Sequence, residues 1–196
     1  MKKVLLLLAE GFESLMAFAF IDVLGRKKVD VNISIQLFTC GLRREIVNSD
    51  NQRVTVDYLV YEVDPGMFEA LIIPGGFEKC GFYSDAYDES ILMLIRMFDA
   101  RNKIIASVCV GALPIALSGI LSTHKIIDDD KKTPLQIEQE KTENVISGPV
   151  VFNSNVIISW KPSTAFEVAY LLLERLTTKE YSNFIRKMME FRMRQN

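Results

Sequence analysis

Runs of consecutive apolar residues alternate along this chain with segments in which apolar residues recur every three or four positions. The continuous runs predict β-strands at 3–8, 32–38, 70–73, 103–107 and 156–159. A strand that is apolar at every position is buried on both faces, which is typical of a parallel sheet covered by helices on both sides.

Helical periodicity predicts helices at roughly 14–27, 88–101, 110–120, 133–141, 163–176 and 178–194. Because the strands and helices alternate, the pattern predicts an α/β fold with an open, mostly parallel sheet. The last segment is amphipathic, and its apolar residues are expected to face inward: Phe184, Ile185, Met188 and Met189.

Two segments depart from this alternation and predict β-hairpin excursions. Residues 44–57 alternate around an Asn/Asp turn, and residues 145–159 turn at Asn153–Asn155. Because neither a repeat nor a linker interrupts the chain, we expect residues 1–196 to form a single domain. This domain includes the C-terminal helix at about 178–194.

The charge and the apolar runs of the chain exclude some classes of binding partner. With a formal net charge of −2 over 196 residues, the chain lacks the basic field that would hold nucleic acid or anionic lipid. The apolar run Val4–Leu8 is too short for a signal peptide, and no run reaches the length of a membrane span. We therefore expect a cytoplasmic protein with neither a nucleic-acid nor a membrane partner.

The cysteines and the single histidine argue against a metal centre. Cys40, Cys80 and Cys109 are widely and irregularly spaced, which suits neither a disulfide framework nor a zinc site. His124 is the only histidine, so a site with several histidines is excluded. We expect neither a metal nor a cofactor.

Cys109 stands at a junction that favours chemistry. It follows the strand 103–107 and precedes Gly111 at the start of a predicted helix, which is the arrangement of a nucleophile elbow with sulfur in place of hydroxyl. The free N–H groups and dipole of a helix N-terminus favour the thiolate. The alternative is that Cys109 is a small core residue.

Two other strand ends lie on the same rim, because sites in open parallel sheets form at the carboxyl ends of the strands. The segment "AEGFES" follows strand 3–8, and "PGGFEKCGF" follows strand 70–73. In the second segment, Gly75 and Gly76 allow a tight turn and a close backbone approach to a ligand. Cys80 is either a resolving thiol or incidental there, and Cys40 carries no specific signal.

Four segments in this order resemble the ThiJ/PfpI (DJ-one) family of the class I glutamine-amidotransferase-like superfamily: "VLLLLAEGFES" followed by "FIDVL", "IIPGG", "ASVCVG" and "SWKPSTAFEVA". The resemblance implies a flavodoxin-like three-layer sandwich, usually homodimeric, with Cys109 as the elbow cysteine. It also implies an oxyanion or anion site at the Gly75–Gly76 loop, formed by the N–H groups of Gly76 and Val110.

Members of that family act in several ways. Some are glyoxalases or proposed deglycases of 2-oxoaldehydes, and some are cysteine peptidases when oligomeric. Others are oxidation-responsive, chaperone-like proteins, and some carry a name from thiazole-phosphate biosynthesis. The resemblance therefore implies a small-molecule carbonyl or a peroxide as the partner of Cys109, and a dimer.

The loop after the first strand departs from the family pattern. That pattern reads G-F-E-x-x-E, and its second glutamate hydrogen-bonds the cysteine sulfur or moves the substrate proton. Here Glu13 matches the first glutamate, but Met16 stands at the second position. A thioether neither donates a proton nor acts as a base. Glu13 could substitute, or it could cap or pair at the first helix.

The histidine of many relatives is also absent from its usual place beside the cysteine. The strand after the elbow helix is expected at 125–128, so Asp128 or Asp129 occupies that position, while His124 lies at the opposite rim. Asp129 beside Cys109 would disfavour the thiolate. The alternative is that "DDDKK" is a solvated turn.

The late segment differs as well, reading Ser159-Trp-Lys-Pro-Ser-Thr164 where one branch of the family has S-R-G-P-G-T. Lys161 or Trp160 could line the pocket, with the lysine placing positive charge near an anion. Trp160 could instead pack at an interface.

Three functions therefore remain open. The first is a thiol protein of the oxidative or carbonyl stress type. The second is a glyoxalase, deglycase, amidase or peptidase that uses Glu13 or Asp129, and the third is a non-catalytic dimeric homologue. For the dimer, we expect exposed apolar faces on the first helix, through residues such as Phe18 and Phe20, and on the C-terminal helix.

Overall fold

A central parallel sheet organises the protein. The computed structural model describes residues 1–26, 34–123 and 150–189. Within them, seven strands form one sheet in the order β5-β2-β1-β6-β7-β9-β8, and β3 and β4 form a separate antiparallel hairpin. The strands are β1 (Lys2–Leu7), β2 (Ile35–Gly41), β3 (Glu45–Val47), β4 (Arg53–Thr55), β5 (Tyr58–Leu59), β6 (Ala70–Ile73), β7 (Ile104–Val108), β8 (Val151–Asn153) and β9 (Val156–Ser159).

All neighbouring strands of the large sheet run parallel except β8, which pairs antiparallel with β9. The helices of the described residues are α1 (Ser14–Leu24), α2 (Phe82–Ala86), α3 (Glu89–Asp99), α4 (Ala112–Leu117), α5 (Ile120–Thr123), α6 (Ala165–Leu176) and α7 (Lys179–Met189). In this part of the chain, no helix combines the length and the apolar character needed to cross a membrane.

Alternate residues of each central strand enter two different cores, because successive side chains of a strand point to opposite faces. Val4 and Leu6 of β1 pack with residues of α1 and α6 on one face. Leu5 and Leu7 pack with residues of α3 and α4 on the other. Since both faces are covered, the central strands are apolar at nearly every position, and the structure confirms the predicted α/β architecture with a mostly parallel sheet.

The five predicted strands and the hairpin at 44–57 are confirmed, although β2 begins and ends three residues later than the predicted 32–38. The elements that the pattern missed are short. β5 has two residues and α2 has five, so neither spans enough positions to show a period. The predicted helix 110–120 is divided. A 3-10 turn (Cys109–Gly111) precedes α4, and Gly119, with φ +86°, separates α4 from α5.

Several predictions fall outside the described residues. These are the strand at 125–128, the helix at 133–141, the part of the second hairpin at 145–149, and the end of the last helix beyond residue 189. His124, Asp128 and Asp129 also lie there.

Two predictions about helix faces are wrong. Phe20 is fully buried, and the exposed apolar residues of α1 are Leu15, Phe18 and Ile21. These recur every three positions, so they share one face, and Phe20 lies on the other with Met16. In α7, Ile185 is buried and Met189 packs against the core as predicted, whereas Phe184 and Met188 are exposed.

Ile185 and Phe184 offer a matched test of how α7 docks. Ile185 is 0% exposed in the core, while Phe184 is 45% exposed. We expect Ile185→Ala to lower the free energy of unfolding by about 2–5 kcal/mol, because it leaves a cavity. Phe184→Ala should change it by no more than about 0.5 kcal/mol. Denaturant unfolding measures both values, and equal losses would contradict this orientation of α7.

Candidate active site

Cys109 occupies a sharp turn between β7 and α4. Its backbone has φ +57°, in the left-handed region, which is strained for any residue with a Cβ. The chain reaches this turn from extended backbone at Val108 and leaves it through the 3-10 turn. The side chain of Cys109 is therefore held partly exposed at the carboxyl end of the sheet, as at a nucleophile elbow.

Gly111 allows this turn to pack tightly against the neighbouring strand. A Cβ at this position would lie 2.3 Å from the carbonyl oxygen of Ile73, the last residue of β6. Real Cβ atoms do not approach a backbone oxygen so closely. Any side chain at position 111 would push the elbow away from β6 and displace Cys109.

The diglycine loop after β6 forms the wall next to the cysteine. A Cβ on Gly75 would lie 3.0 Å from the Cβ of Cys109, and one on Gly76 would lie 2.5 Å from the carbonyl oxygen of Gly11. Neither glycine adopts a positive φ. They are therefore needed for close approach rather than for a left-handed turn.

Two backbone N–H groups near the elbow are candidates for binding an anion. Among residues 1–26, 34–123 and 150–189, the Gly76 N–H has no hydrogen-bond acceptor. Val110 is the second residue of the 3-10 turn, where an N–H has no partner within the helix. Both groups belong to segments that flank Cys109, and the oxyanion or anion site at Gly75, Gly76 and Val110 stays a prediction.

Met16 borders Gly75, as Cys109 does, and its side chain is also part of the core. A Cβ built on Gly75 would lie 3.2 Å from the Sδ of Met16 and 3.0 Å from the Cβ of Cys109. The side chain is buried among residues of α1 and α6. A thioether therefore borders the wall of the cysteine site at the position where the family pattern has a carboxyl group.

Glu13 directly precedes α1, and its side chain does not cap the helix. Its backbone N–H donates to the carbonyl oxygen of Gly75 at 2.9 Å, but its side chain makes no cap hydrogen bond. Partial burial, and secondarily the charge of Asp50, raise the pKa of the Glu13 carboxyl above 4.5. The capping alternative is therefore wrong, and the carboxyl group has no partner among the described residues.

The two candidate residues of the segment 159–164 differ in burial. Trp160 is half-buried and packs against the core on the α3 side of the sheet, whereas Lys161 is exposed. On either side of these two residues, the hydroxyl groups of Ser159 and Thr164 hydrogen-bond each other, and Thr164 Oγ1 donates to the carbonyl oxygen of Lys161 at 2.6 Å. This turn fixes the backbone at residue 161.

The other two thiols differ in environment. Cys80 is exposed, and its Cβ lies 2.6 Å from the point that a Cβ on Gly11 would occupy. It therefore abuts the loop after β1, as expected for a residue on the same rim. Cys40 is fully buried at the end of β2, and this burial raises the pKa of its thiol. Cys40 is thus a core residue rather than a nucleophile.

A charged cluster that sequence reasoning missed borders the same loop. One guanidinium nitrogen of Arg43 donates to the carboxylate of Asp85 at 2.6 Å and to that of Glu10 at 3.1 Å. These residues are separated by 33 and 42 positions in the sequence and belong to no common motif. Only the packing of the β2–β3 turn against α2 brings them together.

The arrangement brings together a thiol and two candidate backbone donors, without a metal centre among the described residues. The described part of the chain contains no group of three histidine, cysteine, aspartate or glutamate residues placed to hold a metal ion. A thiol at a helix N-terminus, next to free N–H groups, can add to an electrophilic carbon or be oxidised. The same N–H groups can then hold the negative charge that develops.

Known proteins of this architecture share both the sequence pattern and the fold. Drosophila melanogaster protein dj-1beta is 27% identical over 183 residues, which cover 91% of each chain. Deglycase TK1284 of Thermococcus kodakarensis is 31% identical over 124 residues, 63% of this chain and 69% of that protein. The chain spans about two fifths of the Arabidopsis thaliana proteins DJ-1 homolog A and B (43% and 39%), which it matches at 27% and 26% identity.

Solved structures confirm the flavodoxin-like fold. Oxidized Toxoplasma gondii DJ-1 superposes with a TM-score of 0.76 at 23% identity, covering 96% of this chain and 98% of that one. Drosophila melanogaster DJ-1beta superposes with a TM-score of 0.74 at 23% identity, covering 96% and 97%. The family profile described as DJ-1/PfpI matches residues 2–175, and the chain therefore belongs to the DJ-1/PfpI family.

Proposed function

We propose that this protein is a thiol protein of the oxidative or carbonyl stress type, whose reactive group is Cys109. The observation that supports it most is the left-handed backbone of Cys109 at the start of a helical turn, φ +57°, against the diglycine loop. Strain of this kind persists only where the surrounding structure imposes it, and it is concentrated at functional sites. A cysteine that served only to fill the core would not require it.

The proposed reaction with a peroxide needs only the thiolate. The Cys109 sulfur attacks one peroxide oxygen, the O–O bond breaks, and the departing hydroxide takes up a proton to leave as water. The cysteine is oxidised to the sulfenic acid while the peroxide is reduced. With an aldehyde, the sulfur instead adds to the carbonyl carbon, and the resulting oxyanion takes up a proton to give a hemithioacetal.

Met16 distinguishes this site from the family pattern. A carboxylic acid at position 16 would donate a hydrogen bond to the thiolate, and a bond to a charged group contributes about 1.5–3 kcal/mol. The thioether contributes none. We therefore expect Cys109 to be more acidic than a free thiol because of the helical turn, but less acidic than the cysteine of a relative with glutamate there.

The rate of alkylation as a function of pH tests this proposal. For the wild type we expect a midpoint between about 6 and 7.5, below that of a free thiol. Met16→Glu should lower the midpoint by about 1–2 units if the new carboxyl group stays protonated, and should raise it if the group ionises. Mass spectrometry after graded peroxide should show more sulfinate in Met16→Glu, and further oxidation to sulfonate in the wild type.

Two control variants complete the experiment. Cys109→Ser should lose the fast alkylation, which assigns it to this thiol. Met67→Glu makes the same change at an exposed methionine outside α1, whose side chain is 54% exposed, and should leave the profile unchanged. Identical profiles for the wild type and Met16→Glu would show that position 16 does not act on the sulfur.

A second candidate is an enzyme acting on 2-oxoaldehydes, and the environment of Glu13 favours it. Its carboxyl group has a raised pKa, makes no cap bond, and lies on the segment bonded to the diglycine loop. One relative is named a deglycase. In such an enzyme Glu13, or Asp129 outside the described residues, would replace the missing second glutamate, and Lys161 would place positive charge near the substrate.

Methylglyoxal turnover separates the two candidates. Without a base at position 16, we expect turnover about 10²–10⁴ below that of the Met16→Glu variant, the usual contribution of a general base. Wild-type turnover within tenfold of that variant, abolished by Glu13→Gln, would instead assign the base to Glu13. That turnover would rise with pH through a midpoint above 4.5, because only the ionised carboxylate accepts the proton.

We also propose that the protein forms an isologous homodimer through α1. Leu15, Phe18 and Ile21 form an exposed apolar face on this helix, immediately after the loop that carries Glu13. A face of this kind, if paired with its own copy about a two-fold axis, buries apolar area on both subunits.

Phe18→Glu tests the dimer. Phe18 is 54% exposed and lies between Leu15 and Ile21, so the variant places two charges in the proposed interface. Sedimentation should show a dimer for the wild type at micromolar concentration and a monomer for the variant. Met67→Glu replaces an equally exposed apolar residue outside α1 and should remain dimeric. A monomeric wild type would overturn the proposal.

A further inference from the structure

The cluster of Arg43, Glu10 and Asp85 joins three separate parts of the chain. Arg43 lies in the turn between β2 and β3, Glu10 in the loop after β1, and Asp85 in α2. Besides the two bonds from Arg43, the backbone N–H of Glu10 donates to the Asp85 carboxylate at 2.9 Å. Asp85 therefore holds both the side chain of Arg43 and the main chain of the loop.

The two side chains of the Arg43–Asp85 ion pair differ strongly in burial. The Asp85 side chain is 6% exposed, while that of Arg43 is 50% exposed. A buried carboxylate is costly unless a cation and hydrogen-bond donors compensate it, and removing one partner leaves an unpaired buried charge. The pKa of the Arg43 guanidinium is raised, mainly by its hydrogen bond to Asp85. The position of the loop at Glu10 therefore depends on this pair.

Backbone hydrogen bonds connect the loop after β1 to the diglycine loop beside Cys109. Directly after Glu10, the carbonyl oxygen of Gly11 accepts the Phe77 N–H at 3.0 Å. The Glu13 N–H then donates to the carbonyl oxygen of Gly75 at 2.9 Å. These two bonds flank the Phe12–Gly76 bridge, so the loop after β1 and the diglycine loop form a short antiparallel pair.

The other side of the same loop is fixed to the β3–β4 hairpin. The Gly11 N–H donates to the carbonyl oxygen of Val47 at 2.7 Å, and the Glu10 carboxylate accepts the Val47 N–H at 3.3 Å. With the hairpin on one side and the diglycine loop on the other, Glu10 is the point at which the charged cluster enters this backbone network.

We propose that Arg43 and Asp85 are positioning residues, which fix the loop at residues 9–13 against the diglycine loop and so hold the Gly76 N–H at the Cys109 sulfur. The part that concerns Cys109 rests on the proposed function of that thiol. Neither residue is assigned contact with the reacting atoms. Their effect on the sulfur passes through the loop and through Gly75, which approaches the Cβ of Cys109.

The test compares two neighbouring arginines. Arg43→Gln removes the cation of the cluster, and Asp85→Asn removes the buried charge. Arg44→Gln is the matched control, because Arg44 is 52% exposed, nearly as much as Arg43, but its guanidinium binds Glu62 at 2.7 and 2.8 Å instead. If Asp85→Asn fails to fold, Arg43→Gln still carries the test, since its side chain is half exposed.

Two measurements are made on the full chain, alkylation of Cys109 against pH and amide hydrogen exchange of peptides covering residues 9–15 and 74–79. We expect Arg43→Gln and Asp85→Asn to raise the alkylation midpoint by about 0.5–1 unit, which slows the reaction about three- to tenfold below the midpoint. Exchange should accelerate in both peptides. Arg44→Gln should change neither quantity, and Arg43→Lys should partly restore both.

The two proposals fail in different ways. If wild-type Cys109 alkylates no faster than a free thiol, the proposed function is wrong, and exchange in the two peptides still decides whether the cluster fixes the loops. If the wild-type thiol is reactive but Arg43→Gln alters neither exchange nor the midpoint, the positioning role is overturned. Equal effects of Arg43→Gln and Arg44→Gln would overturn it as well, because the loss would then be one of general stability.

Discussion

The close approach of backbone at the carboxyl ends of β6 and β7 is the constraint on which the site depends. Cys109 can take its left-handed turn because Gly111 lets the chain pass against the end of β6. Gly75 then fits beside Cys109 because it has no side chain. Each contact involves backbone or a Cβ that cannot rotate away. The position of the thiol is therefore a property of the sheet and its turns rather than of a flexible side chain.

The sequence predicts the sheet well because strands that are buried on both faces have an apolar residue at almost every position. The strand-to-helix turn at Cys109 could also be predicted, since a strand, a cysteine and a glycine before a helix are adjacent in the chain. Which face of α1 and α7 is buried could not, because Phe18 and Phe20 are equally apolar and only the packing of α1 on the sheet separates them. The Arg43 cluster left no local signal, because its members are distant in sequence.

The Met16 side chain belongs to the core and also borders the diglycine loop of the cysteine site. A carboxyl group at this position would have to be buried, at a cost in free energy that a hydrogen bond to the thiolate must offset. The thioether avoids that cost, because it packs with α1 and α6 while it borders the cysteine wall. The thioether that suits the core has no proton to donate at the Cys109 site. Stability and acid-base chemistry thus favour different residues at position 16.

This loss makes the geometry of the loops more important. Where a protonated glutamate donates to the sulfur, one side chain supplies much of the stabilisation of the thiolate. Among the described residues, the candidate donors that we propose at Cys109 are backbone N–H groups at the diglycine loop and at the start of a helical turn, and side-chain rotation does not move them. The orientation of the Gly76 N–H depends on the diglycine loop, which is bonded to the loop after β1. We have proposed that a buried carboxylate and one arginine fix that loop in turn. If the proposed positioning role holds, a site with backbone donors in place of a side-chain donor depends more strongly on the ion pair that holds its backbone in place.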